Sequence, residues 1–445
     1  LLENYTELLK TLQRRGVGVR AAKTQRKDME IGVLRGNLLE RFLRYVGIDT
    51  QSDPESTTYP STKKQWVLLE MLRDELQAMG LSEVKLDKYG YVTATLPSNV
   101  ARETPAVGLI AHVDTSPEMS GAGVKPLLHE NYQGTDIVLP NRADTVIKFA
   151  TNPELANQIG NTIITASGDT LLGADNKSGV AAIMTALEYL IAHPELPRTT
   201  LRIAFTPDEE IGAGTKFFDI EKFNAYCAYT IDSSTRGMLD TETFSADAMT
   251  VRFEGFNTHP GHAKDVMISA IKLAADFVSR LPKNGLSPET TSGREGFVHP
   301  IDMRATVDSS TVQFILRDFD EAGLVEKKEL LLKLAQDTVD AAPGSRFSYE
   351  HKQQYRNMRT VLDRFPDVVE NAKLAIKEAG IELIEEAVRG GTDGSQLSLN
   401  GLPTPNIFAG EHNFHSRYEW VSVEDMLKSA EVIVRLAGIW TREHA

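Results

Sequence analysis

Residues 106–114 read AVGLIAHVD, and the fold class turns on this stretch. Ala106 to Ala111 form a short, mostly apolar run of the kind that makes a buried strand. The run then delivers His112 and Asp114, two positions apart, and the period of an extended chain puts both side chains on one side. In open α/β sheets, ligands bind at the carboxyl ends of such strands. Alone, a His-x-Asp triplet says little, because a hydrogen-bonded surface pair explains it equally well.

Outward from this run the chain alternates between two periodicities. Leu38, Leu39, Phe42, Leu43 and Val46 mark a helix, and Trp66 to Met79 a second one stopped by Gly80. Glu83 to Leu86 and Tyr91 to Leu96 alternate around Tyr89-Gly90 as a hairpin does. Residues 116–162 are irregular, and a segment that long beside a site reads as a functional loop or flap. Lys177 to Leu190 is a helix, followed by two more buried strands, Thr200 to Phe205 and Ala225 to Ile231. Strands alternating with helices predict an α/β domain with a mainly parallel sheet sandwiched by helices. The rhythm changes near Thr241: strand 249–253, helix 268–281, strands 303–307 and 312–316, helix 322–339 and strand 347–350. That βαββαβ order predicts an inserted ferredoxin-like α+β domain over 242–352, flanked by the two parts of the larger domain, 36–241 and 353–445.

Composition limits the function classes. With 445 residues, 41% apolar and 25% charged, the chain has the balance of a globular protein with a large core. A net charge of −14 argues against nucleic acid or an anionic membrane as partner. The single cysteine, Cys227, cannot form an internal disulfide, and a cytoplasmic location is the simplest expectation. Residues 1–35 are an unassigned extension, basic but carrying Glu3, Glu7, Asp28 and Glu30; Leu8, Leu9 and Leu12 hint at a helix. The sequence opens at Leu1, which leaves the true start of the chain open.

The chemistry emerges when the strand ends are compared. Asp175 follows LLGA and precedes a helix, Glu209 and Glu210 follow AFTPD, Asp232 follows AYTI, and His415 lies in the polar loop EHNFHSR. One apolar run ending in an acid or imidazole is unremarkable; several in one chain are not. Imidazole nitrogens and carboxylate oxygens are zinc donors, and two metals can share a carboxylate and a hydroxide. Asp175, Glu210 and Asp232 with one hydroxide balance the charge of two Zn²⁺ ions, and neutral His112 and His415 complete the set. Glu209-Glu210 also reads as a solvated first helical turn favoured by the helix dipole. After a buried strand, however, Glu210 can ligate metal while Glu209 acts as general base and then as acid toward a leaving amine. His412 is the nearest rival to His415.

Eight stretches together resemble the peptidase T family of tripeptide aminopeptidases, part of the clan of dizinc exopeptidases and aminoacylases. They are AHVDTSP (111–117), LLGADNKSGVA (171–181), AFTPDEEIGAGTKFFD (204–219), AYTID (228–232), FNTHPGHAK (256–264), ILRDFD (315–320), RGGTDGSQLS (389–398) and NFH (413–415). The likeness covers about residues 36–440 in order. It implies a zinc-exopeptidase-like fold whose inserted domain is a lid, and two Zn²⁺ per subunit. It also implies that His112, Asp175, Glu210, Asp232 and His415 are the ligands with Asp175 bridging, that Asp114 orients His112, and that Glu209 is the base. His259 matches a lid histidine facing the oxyanion, and Arg317 and Arg389 match positions that hold the substrate carboxylate; a structural salt bridge is the other reading of either arginine. A cis peptide is expected between Asp175 and Asn176. Asn176 stands where the family commonly has a second acid, and Ser233-Ser234-Thr235 where it has a glycine-rich turn.

The activity so implied is metal-dependent removal of the N-terminal residue from tripeptides by a dizinc-bound water. A dipeptidase or an N-acyl amino acid deacylase with the same machinery is the close alternative, and a silent binding protein the distant one. Small peptides are the expected partners; a homo-oligomer is compatible with a domain that can offer a sheet edge to another copy.

Overall fold

The computed structural model describes residues 32–142 and 144–442. The helical pattern at Leu8, Leu9 and Leu12 lies outside them. The described residues divide into two compact units: those up to 239, 367–384 and those from 406 on form the first, and 240–366 with 385–405 the second.

The first unit is built on strands β1 (Ser82–Leu86), β2 (Val92–Leu96), β3 (Val107–His112), β4 (Leu201–Thr206), β5 (Cys227–Ser233) and β6 (Leu239–Asp240), joined by the distant strand Asn406–Phe408. Their spatial order is β1-β2-β4-β3-β5, then Asn406–Phe408, then β6. The sheet is mixed. β1, β2 and β4 pair antiparallel, whereas β4-β3-β5 and the strand at 406–408 run parallel. β3 lies at the centre and every one of its residues is buried, as a strand covered on both faces requires.

Helices α1 (Arg35–Val46), α2 (Gln65–Ala78) and α3 (Ala174–Ala192) surround this sheet. α2 stops where Gly80 takes a left-handed φ of 80°. α3 packs against β3, β5 and α1, and its sides are apolar nearly all round. Its first turn is not helical at Asp175 (φ −76°, ψ 108°) or Asn176 (φ −117°, ψ 34°), so the regular helix starts at Lys177. The Asp175–Asn176 peptide is cis.

Residues 116–162, read from sequence as a loop, contain short strands and 3-10 turns. Tyr132, Ile137, Leu139, Ile147 and Leu155 form a small core with Ile163 and Trp420. Ile163–Thr165 pairs with Leu127–His129 on one side and Trp420–Ser422 on the other, and the latter pairs with Glu411–His412. That second sheet ties the loop holding His415 into the first unit.

The second unit contains β7 (Ser245–Glu254), α4 (Ala270–Ser279), β8 (Phe297–Ala305), β9 (Ser309–Asp318), α5 (Glu321–Asp340) and β10 (Arg346–Tyr355). This is the βαββαβ order, in an antiparallel sheet ordered β8-β9-β7-β10. Val251, Phe253, Phe277, Phe314, Leu316 and Leu331 are at its core.

The boundaries differ from the expected 36–241, 242–352 and 353–445. Residues 353–366 and 385–405, expected with the larger domain, pack with the second unit. β10 continues to Tyr355, opposite Ala246, instead of ending at Glu350. Val388 O accepts the Phe244 N–H, and the Tyr355 ring lies where a Cβ on Gly391 would fall. The longer helices that follow are α6 (Pro366–Glu378) and α7 (Val423–Ile439), the latter packed on α3 and α1.

Close approach of α3 to β5 needs Gly179. A Cβ there would lie 2.0 Å from the Ile231 carbonyl oxygen and 2.2 Å from Asn176 Oδ1. Gly179→Ala is expected to destabilise the fold by about 1–3 kcal/mol through overpacking. The measurement is the urea midpoint, which should fall with an unchanged slope.

Candidate active site and its donor groups

Three strand ends, the start of α3 and one loop supply the acidic and imidazole side chains of the site. His112 is the last residue of β3, Asp175 opens α3, Glu209 and Glu210 begin a 3-10 turn after β4, Asp232 lies near the end of β5, and His415 is in the loop after Glu411–His412. They converge as two groups that share one member. His112, Asp175 and Asp232 offer ligand atoms within 4.8 Å of one another, and so do Asp175, Glu210 and His415.

The shared carboxylate faces both ways. Asp175 Oδ1 lies 2.9 Å from His112 Nε2, while Oδ2 lies 3.4 Å from His415 Nε2. Asp232 Oδ1 is 3.4 Å from His112 Nε2, and Glu210 Oε2 is 2.6 Å from His415 Nε2. On its other side, His112 Nδ1 is 3.1 Å from the Asp114 carbonyl oxygen. A carbonyl can only accept, so this contact places a proton on Nδ1.

Asp114 is fully buried, and its carboxylate does more than lie 3.4 Å from His112 Nδ1. It accepts the backbone N–H of Glu209 (2.9 Å) and of Glu210 (3.2 Å). One anion thus joins the end of β3 to the turn after β4. Asp208, with φ 60°, braces that turn from behind. Its carboxylate accepts the Ser61 N–H (2.6 Å), the Ser61 hydroxyl (2.5 Å) and the Gln65 amide (2.6 Å). Asn176, in place of an acid, donates to the Ile231 carbonyl at 2.8 Å and to the Asp232 carboxylate.

The electrostatics follow from crowding like charges in a buried place. Burial, then the Asp175 charge, push the Glu210 carboxyl up to about 8. Burial also raises Asp232. Burial works against the charged forms of the histidines, but Asp232, Asp114 and Asp175 hold His112 well above its usual range. Asp175 and Glu210 likewise outweigh burial and push His415 up to about 11. Glu210 Oε1 is buried with no hydrogen-bond partner. A buried carboxylate oxygen without a donor is costly. Divalent cations fit this donor set: they would satisfy that oxygen, offset the mutual repulsion of the carboxylates, and meet imidazole and carboxylate ligands of the type zinc takes.

Sequence reasoning missed two buried acids beside the centre. Glu419 accepts the backbone N–H groups of Leu172, Gly173 and Asp175, and Glu411 accepts the Ser178 hydroxyl at 2.9 Å. The only signal was their position in the loop around His415. His412 is stacked on Trp420 with centroids 4.0 Å apart, and burial pulls its imidazole down to about 3. It belongs to neither group of donor atoms.

His259, Arg317 and Arg389 lie in the second unit. His259 Nδ1 accepts the Gly261 N–H at 3.1 Å. Arg317 donates to the Gln354 side chain (3.1 Å) and lies over the Tyr355 ring. Arg389 donates to the carbonyls of Gly293 (2.8 Å) and Glu295 (2.7 Å) and to the Thr291 hydroxyl (2.9 Å), with its guanidinium over Phe244. Those donors of Arg389 anchor the 291–295 loop.

Comparison with known proteins adds the lineage. The model of Peptidase family M20/M25/M40 matches residues 171–438. A relative named Peptidase T, from Geobacillus sp. (strain WCH70), is 46% identical over 410 residues, 92% of this chain and 100% of its own. Among solved structures, the aminopeptidase PepT from Bacillus cereus superposes with a TM-score of 0.71 at 22% identity, covering 92% of this chain and 99% of that one. The YXEP protein of Bacillus subtilis, described as a dinuclear metal binding peptidase from the M20 family, gives 0.63 at 14% identity over 92% and 98%. At these identities the structures speak for the fold, and the sequence match speaks for kinship. The chain therefore belongs to peptidase family M20/M25/M40, among its Peptidase T members, and is a peptide hydrolase.

Proposed function

We propose that the protein is a dizinc tripeptide aminopeptidase. The observation that carries this reading is the sharing of Asp175 between two groups of donor atoms, one oxygen to each. His112 and Asp232 would hold one cation, Glu210 and His415 the other, and Asp175 both. When bound, such a pair of divalent cations lowers the pKa of an attacking water and polarises the scissile carbonyl. Support for a pair comes from the dinuclear centre ascribed to the Bacillus subtilis relative. Support for tripeptides comes from the Peptidase T relatives and from a tripeptidase of Staphylococcus aureus with the same fold.

The chain's own groups account for the remaining steps. Glu209 and Glu210 are adjacent on a turn whose two amides are held by Asp114. Glu210 points its carboxylate at His415, and Glu209 is not among the grouped donors. Glu209 is assigned to take a proton from water as its oxygen attacks the carbonyl. It then returns that proton to the leaving amine nitrogen as the C–N bond breaks, releasing an amino acid and a dipeptide. Asp114 fixes the ring of His112. His259 and Arg317 are assigned to the oxyanion and the substrate carboxylate on the motifs in which they occur. Arg389, from the same set, would act through the loop it anchors. A cytoplasmic setting is assigned from the lone, buried Cys227. Among the described residues no helix is long and apolar enough to cross a membrane.

Glu209→Gln should retain both cations and lose turnover by about 10²–10⁴-fold, the usual contribution of a general base. Steady-state rates beside metal analysis check this, and normal turnover in the variant would remove Glu209 from the mechanism. Ala-Ala-Ala should be cleaved well ahead of Ala-Ala and N-acetylalanine; a preference for either of the latter would favour a dipeptidase or a deacylase.

Metal loading should also release protons. Without cations the Glu210–His415 pair, raised to about 8 and about 11, retains at least one proton at neutral pH. Coordination requires carboxylate and neutral imidazole, so that proton leaves and affinity rises with pH. Calorimetry at pH 7 in buffers of different ionisation enthalpy should count one or more protons released per protein.

A further inference from the structure

Glu419 lies beyond His415, immediately before the strand Trp420–Ser422, and is 1% exposed. A buried carboxylate needs either a cation or several donors. Glu419 has donors, all from one short stretch of backbone. Its Oε2 accepts the N–H of Leu172 (2.6 Å) and of Gly173 (2.8 Å), and its Oε1 accepts the N–H of Asp175 (3.0 Å). The stretch is the turn that delivers Asp175. Gly173 has φ 82°, and neither Asp175 nor Asn176 has joined the helix. No turn of helix yet satisfies these amides, and the carboxylate of a distant residue does so instead. The same residue is on the loop that carries His415, so it links the shared ligand to one of the two imidazoles through a path outside the donor cluster.

We infer that Glu419 is a positioning residue: by gripping the backbone of 172–175 with both carboxylate oxygens, it aims Asp175 so that one oxygen reaches each donor group, and thereby sets the affinity for divalent cations. This rests on the two-cation reading above. The interaction is specific to a carboxylate of this length. A glutamine has one acceptor oxygen, and its NH₂ would confront a backbone N–H. An aspartate keeps the charge but withdraws it by one methylene.

The test uses the full chain and Zn²⁺. Unsubstituted protein and Glu419→Gln are compared by chelator competition, and hydrogen exchange is followed at the amides of 172–175. The expected result is a loss of affinity of about tenfold or more, the usual effect of disturbing groups behind metal ligands, with faster exchange at those amides. A merely structural role would lower stability and leave the Zn²⁺ affinity of the folded protein unchanged, and that result would overturn the proposal. If Glu419→Gln does not fold, Glu419→Asp takes its place, and unchanged affinity there overturns it equally. Failure of the unsubstituted protein to bind Zn²⁺ would instead sink the two-cation reading, and it is seen before any substitution is made.

Discussion

The arrangement of the first unit depends on a repulsion that it has to manage. Asp175, Glu210, Asp232 and Asp114 approach one another where little water reaches. Bringing like charges together in such surroundings disfavours ionisation, which is why Glu210 and Asp232 are raised. Two imidazoles offset part of the charge, and Asp175, touching both, is held below the usual carboxylate range despite its burial. The remaining imbalance includes a carboxylate oxygen of Glu210 with no donor. A site built this way is matched to cations and unfavourable without them.

Three buried acids, one of them Asp114, show how the geometry is held. Asp114, Asp208 and Glu419 each accept backbone N–H groups, from Glu209 and Glu210, from Ser61, and from the 172–175 turn respectively. Each anchors a turn that delivers a chemically active side chain. Burying an anion is costly unless hydrogen bonds compensate. Amides at strand-to-helix turns are the available donors, since no carbonyl of the adjoining helix reaches them. The cost of burial and the need of those turns therefore offset one another. Lys177, buried behind the same turn, donates to the Ile48 carbonyl at 2.7 Å and adds a compensating positive charge.

Much of the fold was legible because it follows from periodicity. The apolar run before His112 has the length and continuity of a strand buried on both faces, and β3 is one. The change of rhythm after Thr241 announced the βαββαβ unit. Its far boundary was not legible. Residues 353–366 and 385–405 join the second unit through β10 pairing and through isolated contacts at Val388 and Arg389. Such contacts leave no periodic trace. Residues 116–162 read as an irregular loop or flap, and their small core was not legible for a similar reason. Their apolar residues are sparse, and they form a core only with Ile163 and Trp420 contributed from elsewhere.

The sequence by itself determined which chemistry was available: apolar runs that lead into acids or imidazoles, at His112, Asp175, Glu210 and Asp232, with His415 in a polar loop. Side-chain type and strand-end position are local properties, and a linear chain displays them. Only the tertiary structure decided that Asp175 is shared between two donor groups, that the Asp114 carboxylate serves the turn after β4 as well as His112, and that Glu419 holds the backbone behind Asp175. Those are contacts between a carboxylate and atoms distant in the chain. They depend on strand order, and no residue reveals strand order until the sheet has formed.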